Sequence, residues 1–250
     1  DHELIQALSR QEKVLELTHD LSKDKVLKYL RQFPIEYLNH YQAEDISWHA
    51  RNILRFTNSE APLILFSQKP NVGTELMVYY KSNTPMVFGN IARTMAIKQL
   101  NVFSAQVFIT HNFHALCTIM FQNKKGMPLD HDRLNNLRKA IIAGLDDHSQ
   151  TLDISASTRQ IFEIPTKISF LENMSKKQTN LEISTLDRQG LLAKIGITLG
   201  SLDCLIRAAR IATTGERADD FFAITDVNGL PLAPSKKEEL SAALKAALDG

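Results

Sequence analysis

Apolar residues recur at helical spacing through the first 57 positions: Leu4, Ile5, Leu8, Val14, Leu15, Leu21, Val26, Leu27 and Leu30, with charged residues between them. That spacing predicts amphipathic helices. Pro34 breaks the run, and Glu44-Asp45 opens another helix through Ile46, His49, Ile53 and Leu54. The pattern then changes. Pro62–Ser67 is a short apolar run bounded by turn residues, which predicts a strand. After it come a strand over 75–81, a helix striped by Val87, Phe88, Ile91 and Met95, a strand over 102–110, a turn at His111-Asn112-Phe113 and a strand over 115–121. Asp130 caps a helix carrying Leu134, Leu137, Ile141 and Leu145. Ile161–Phe170 reads as a strand whose Pro165 favours an edge or a bulge.

The same order then repeats. A strand over 180–186 leads to a helix with Leu191, Leu192, Ile195, Leu199 and Leu202. Strands over 205–213 and 221–225 flank a turn at Gly215, and a last helix carries Leu240, Leu244 and Leu248. A Gly-x-Pro-Leu loop stands at the same place in both copies, Gly126–Leu129 and Gly229–Leu232. Two copies offset by roughly 104 residues are tandem domains rather than solenoid turns. The expected fold is α+β: a helical segment at 1–60, then two ferredoxin-like βαββαβ domains at 61–172 and 173–250. The strand over 161–170 is expected to be the fourth of the first copy. The second copy runs out before a fourth strand, so one of eight strands is expected to cross over and complete the second of two four-stranded sheets.

The turn between the first strand and helix of each copy carries the candidate chemistry. In the second copy it is Asp187-Arg188-Gln189-Gly190-Leu191-Leu192, and in the first Asn83-Thr84-Pro85-Met86-Val87-Phe88. A helix start exposes backbone N–H groups, which receive a small carboxylate. Asp187 and Asn83 are expected to cap their helices, and Asp187 could also meet an α-ammonium group. Gly190 permits close backbone approach, for a ligand or for helix packing; Met86 stands in its place in the first copy, which makes the second turn the better site. Arg207, Arg210, Glu216, Arg217, Asp219 and Asp220 surround the second hairpin and read as a solvated salt-bridge set, or alternatively as a contact surface for another domain or subunit.

Composition narrows the function classes. A net charge of +1 gives no field for nucleic acid or an acidic membrane surface, and no apolar run reaches membrane length. Cys117 and Cys204 sit in apolar contexts and read as core thiols, in keeping with a reducing, cytoplasmic setting. His19-Asp20, His131-Asp132 and Asp130-x-Asp132 lack the further ligands of a metal centre, and no nucleophile triad or phosphate-cradling glycine loop is present. No catalytic residue, metal or cofactor is therefore expected in this chain. It also opens inside a helical pattern, at Asp1-His2-Glu3-Leu4, as expected of a fragment of something longer.

Asp187–Gly196 resembles the opening of an ACT domain, a ferredoxin-like module that commonly binds amino acids. More narrowly, Ala209–Phe222, Gly73–Leu76 with Ala105–Thr110, and Ile46–Arg51 resemble the C-terminal region of the bacterial bifunctional PII uridylyltransferase/uridylyl-removing enzymes, from about residue 35 onward. That family implies a nucleotidyltransferase domain, a His-Asp phosphohydrolase domain and two ACT domains that sense glutamine. The resemblance implies L-glutamine, the parent's own catalytic domains and the PII protein as partners, and Mg²⁺ for the catalytic domains. Two other readings stand beside it: a ligand-free ACT assembly module, and the regulatory tail of another amino-acid-responsive ACT enzyme, against which the Gly215-Glu216-Arg217 hairpin speaks.

The missing catalytic constellations generate a test. Given Mg²⁺, UTP and PII, the purified chain should leave PII unmodified; labelling above a protein-free control would contradict this.

Overall fold

A computed structural model describes residues 1–56, 60–81, 85–145, 164–171 and 177–249. Four helices come first: α1 (His2–Leu17), α2 (Lys23–Arg31), α3 (Ile35–His40) and α4 (Ala43–Arg55). Then follow β1 (Leu63–Lys69), β2 (Gly73–Lys81), α5 (Met86–Ile97), β3 (Leu100–Ile109), β4 (His114–Asn123) and α6 (His131–Leu145). The second copy is β5 (Lys167–Leu171), β6 (Thr179–Leu186), α7 (Leu191–Ser201), β7 (Leu205–Thr214), β8 (Arg217–Thr225) and α8 (Pro234–Asp249). The fold is α+β with two tandem ferredoxin-like repeats, as the hydrophobic pattern predicts.

The eight strands form one sheet, in the order β1-β2-β4-β3-β7-β8-β6-β5, rather than two separate ones. Read outward from the centre, the halves are β3-β4-β2-β1 and β7-β8-β6-β5, the same arrangement twice. The inner edge of each copy would otherwise present unpaired N–H and C=O groups, and pairing β3 with β7 satisfies both. The strand expected as the fourth of the first copy belongs to the second half: β5 pairs antiparallel with β6, from Lys167↔Ser184 to Leu171↔Asn180. A short connection favours pairing with the next strand in sequence, and β1 fills the matching place beside β2. Pro165 lies just before β5, at the sheet edge, where a missing N–H costs no ladder bond. Positions 161–163 of that expected strand lie outside the described residues.

The duplication is visible in backbone detail. Gln99 and Asp203, 104 positions apart, each end a helix with a φ of 58°. Gly126 and Gly229 both have positive φ, 68° and 78°. Asn123 Oδ1 accepts from the amides of Lys125 and Met127, and Asp226 Oδ1 accepts from those of Asn228 and Leu230. One Asx-turn is thus built twice, by the short side chain that can bond its own downstream backbone.

Contacts divide the chain into two compact units. The first comprises 1–65, 77–83 and 107–117. Its core is aromatic, with Tyr29, Phe33, Tyr37, Tyr41 and Phe108 buried around α2 to α4. The Tyr29 and Tyr37 hydroxyls lie 2.8 Å apart, and Tyr37 Oη lies 2.9 Å from His49 Nδ1. Burial pushes both phenols well above their ordinary range, so they stay neutral hydrogen-bonding groups.

The second unit comprises 66–76, 84–106 and 118–250. At its centre Ala105 pairs with Ala209, flanked by Ser104↔Arg210 and Gln106↔Ala208. With an offset of 104, this register maps onto itself, so a local pseudo-twofold passes through the two alanines. Helices α5 and α7 obey the same relation. A Cβ on Gly89 would meet the Gly196 carbonyl carbon and the Ile197 nitrogen at 2.9 Å, and one on Gly196 would meet the Gly89 Cα at 3.0 Å. The repeat equivalents of these glycines are Ala193 and Ala92, also small.

Gly89→Ala and Gly196→Ala should each destabilise the chain. Overpacking against backbone costs about 1–3 kcal/mol, against the ~1 kcal/mol that alanine returns in helix propensity. Urea unfolding should show a lowered midpoint for each; an unchanged or raised midpoint would show that the two helices separate freely.

Candidate functional site

Where β6 ends, the chain turns at Asp187 and enters α7 at Leu191. The Asp187 amide donates to the Glu216 carbonyl at 2.8 Å, which pins the turn to the β7–β8 hairpin. The N-cap of α7 is Gly190, in the left-handed region at φ 79°, and no side chain caps the helix. Asp187 therefore does not cap α7, contrary to the sequence expectation. Gly190 is required by the turn itself, because an L side chain is strained at that φ. The Leu191 amide donates to the Arg188 carbonyl at 3.1 Å, and the first intrahelical bond runs from Lys194 to Gly190 at 3.0 Å. The amides of Leu192 and Ala193 precede that bond, so they are the helix-start donors that a ligand could take.

The turn lines a cavity of about 550 Å³, which brings together Asp187, Arg188, Gln189, Gly190, Leu191 and Leu192. Its other walls are Ala92, Met95 and Ala96 of α5, Gln99 with residues 100–103 at the start of β3, Lys124, and Ile211, Thr213 and Asp220 of the hairpin. Asp220 is the residue that sequence reasoning misplaced. It pairs with Ile183 of β6 on one side and Ile211 of β7 on the other, and only 1% of its surface is exposed. Among the described residues neither carboxylate oxygen makes a well-formed hydrogen bond. Burial, followed by the nearby Asp187 charge, pushes its carboxyl up to about 7, while the Ala212 backbone offsets part of the penalty. Burial also raises Asp187.

Only part of the expected salt-bridge set is solvated. Arg217 Nε lies 3.0 Å from Asp219, on the outer face of β8. Ala218, Asp220, Phe222 and Ile224 face inward, at 2% exposure or less. That period-two alternation was the available signal: it puts Asp220 on the apolar face.

The first turn is arranged differently. Asn83 and Thr84 lie outside the described residues. Pro85 and Met86 pack against α7: a Cβ on Gly200 would meet Met86 Sδ at 2.7 Å and the Pro85 oxygen at 3.0 Å. Val87 and Phe88 are buried. The position matching Asp220, counted back from the shared Asx-turn, is Cys117, whose buried thiol is pushed up to about 12 and stays neutral. The first copy thus has Met86 packed at its helix start and no carboxylate at the matching strand position.

The two His-Asp pairs serve local roles. Asp20 is held by Arg51 through contacts of 2.5 and 3.0 Å, which lower its carboxyl to about 2. Asp130 Oδ1 accepts from the Arg133 amide at 2.8 Å as the cap of α6, with His131 and Asp132 in the first turn. Among the described residues no cluster of three or more His, Cys, Asp or Glu side chains could hold a metal ion, and no helix is long and apolar enough to cross a membrane.

This architecture defines a class: a tandem ferredoxin-like module with a polar cavity at the start of its second-copy helix. No family model matches the chain. It is 32% identical over 213 residues to the bifunctional uridylyltransferase/uridylyl-removing enzyme of Vibrio campbellii, covering 84% of this chain and 24% of that protein. The enzymes of the same name from Vibrio cholerae and Aliivibrio fischeri are 31% and 33% identical over 214 and 218 residues. The chain belongs to the family of bifunctional uridylyltransferase/uridylyl-removing enzymes, and spans about a quarter of the length of the curated relatives it matches.

Asp220 sets a pH dependence of stability. Its folded-state pKa lies above its unfolded value, so its contribution is fully present below about 4 and is lost as pH rises through about 7. Asp20 shifts the other way and is complete above about 4, so it does not vary in that window. Urea midpoints should therefore fall between about pH 4 and 7 in the wild type, the interval between the unfolded and folded pKa values, and fall less in Asp220→Asn. Parallel profiles would contradict a buried, strained carboxylate.

Proposed function

We propose that this chain is the glutamine-sensing regulatory region of a cytoplasmic bifunctional enzyme that uridylylates and deuridylylates the PII protein. In this reading the two ferredoxin-like repeats are ACT domains, and the parent's other domains carry the chemistry and its Mg²⁺. The observation that supports it above others is the buried Asp220 carboxylate, without a well-formed hydrogen bond among the described residues, in the cavity where α7 begins. Such a group invites a cation, and the adjacent helix start invites an anion. A free α-amino acid carries both.

L-Glutamine would place its α-ammonium group against Asp220 and Asp187. Its α-carboxylate would take the Leu192 and Ala193 amides, where the helix dipole contributes about 0.3–1 kcal/mol. The side-chain carboxamide would face the wall formed by Gln99 and Asn101, which offers amide donors and acceptors. Binding would tighten this cavity around the ligand, and the switching free energy is bounded by glutamine's differential affinity for the parent's two arrangements.

An ammonium group stabilises ionised Asp220, so binding below its pKa must expel a proton. Calorimetry near pH 6 in two buffers of different ionisation enthalpy should show glutamine binding with proton release, and tighter binding as pH rises toward 8. Asp220→Asn should weaken binding about tenfold or more, as expected for losing a charge-assisted contact of ~1.5–3 kcal/mol, and abolish the proton release. No saturable heat with glutamine, or equal affinity in the folded Asp220→Asn variant, would overturn the reading.

A further inference from the structure

A second cavity, of about 410 Å³, lies in the first unit and shares no residue with the one at α7. Lys25 and Lys28 stand one turn apart on α2 and both line it, as does Lys81 at the end of β2. Among the described residues no carboxylate lines this cavity, and none of the three lysines is ion-paired. Like charges one helical turn apart repel, so the arrangement is costly until an anion neutralises it.

The cavity is also aromatic. The Tyr79 and His114 rings stack at a centroid distance of 5.1 Å and an interplanar angle of 13°, and both line it. His114 is anchored by its backbone amide, which donates to Thr110 Oγ1 at 2.9 Å. Its ring nitrogen Nδ1 is shut off from water and has no hydrogen-bond partner among the described residues. A buried polar atom of this kind is satisfied by a ligand that brings a donor or an acceptor. Asn112 and Gln32 add amide groups to the wall.

We propose that this cavity binds a nucleoside phosphate, with the phosphate held among Lys25, Lys28 and Lys81 and the base against the Tyr79–His114 stack. Lysines supply point charges for phosphate oxygens, and a π-face accepts any base. The unpartnered His114 nitrogen bonds a polar edge of the ligand. A simple anion would use the lysines and leave the aromatic wall idle; an uncharged nucleoside would do the reverse. The site is independent of the glutamine reading.

The test titrates the 250-residue chain with UMP, AMP, uridine and inorganic phosphate at low and high salt. Saturable binding of UMP or AMP is expected, weakened by salt, with uridine and phosphate each weaker by about tenfold or more. The variant Lys25→Gln/Lys28→Gln, on an exposed helix face, should bind the nucleotide about tenfold more weakly while keeping its circular dichroism and its glutamine response. Three results would overturn the proposal: no saturable nucleotide binding up to about 10 mM, phosphate binding as tightly as the nucleotide, or undiminished nucleotide binding by the folded lysine variant.

Discussion

The close approach of α5 and α7 at Gly89 and Gly196 is the constraint on which the second unit depends. Two helices at ordinary spacing keep 8–10 Å between axes. Here the backbones touch, with no room for a Cβ on Gly89 and only a tight fit for one on Gly196. That contact and the β3–β7 pairing obey the same 104-residue relation, so the two copies meet about a local twofold. Each helix start then falls near the other helix's end. Gly200 of α7 receives Met86, while the end of α5 leaves space in front of Gly190.

Duplication would give two equivalent sites, and three local substitutions remove the equivalence. Met86 stands where the second copy has Gly190, and packs against α7. Cys117 stands where the second copy has Asp220, and is neutral. Asn83 replaces Asp187. The scaffold is symmetric because its packing requires it, and the chemistry is not. Asp220 keeps a destabilising carboxylate between two isoleucines, a cost with no structural return among the described contacts. Local conflicts of that kind mark functional positions.

Most of the fold was legible because it rests on periodicity. Helical stripes and alternating strands gave the elements to within a few residues, and the repeated Gly-x-Pro-Leu loop supported the duplication. The partner of β5 was not legible: a short apolar strand between two repeats pairs equally well in principle with either, and the hairpin-length link to β6 decides it. Nor was the merging of two sheets into one, since nothing in the alternation of β3 or β7 distinguishes a central strand from an edge. In the site, the turn Asp187–Leu192 was visible from its residue types. The cap assignment failed because a left-handed Gly190 ends the turn, so the helix starts too late for Asp187 to reach its amides. Asp220 was hidden by its neighbours: Arg217 and Asp219 made it look like one of a surface set, although its parity put it inward.

The proposed glutamine sensing requires that the buried Asp220 carboxylate receive an amino acid's ammonium group. Carbon-13 NMR of the Asp220 side-chain carboxyl tests it at the atom concerned. Without ligand the resonance should titrate with a midpoint near 7. Saturating L-glutamine should move that midpoint down by about one unit or more, the shift that a paired cation imposes on a carboxylate. A midpoint that glutamine leaves unmoved would contradict the account.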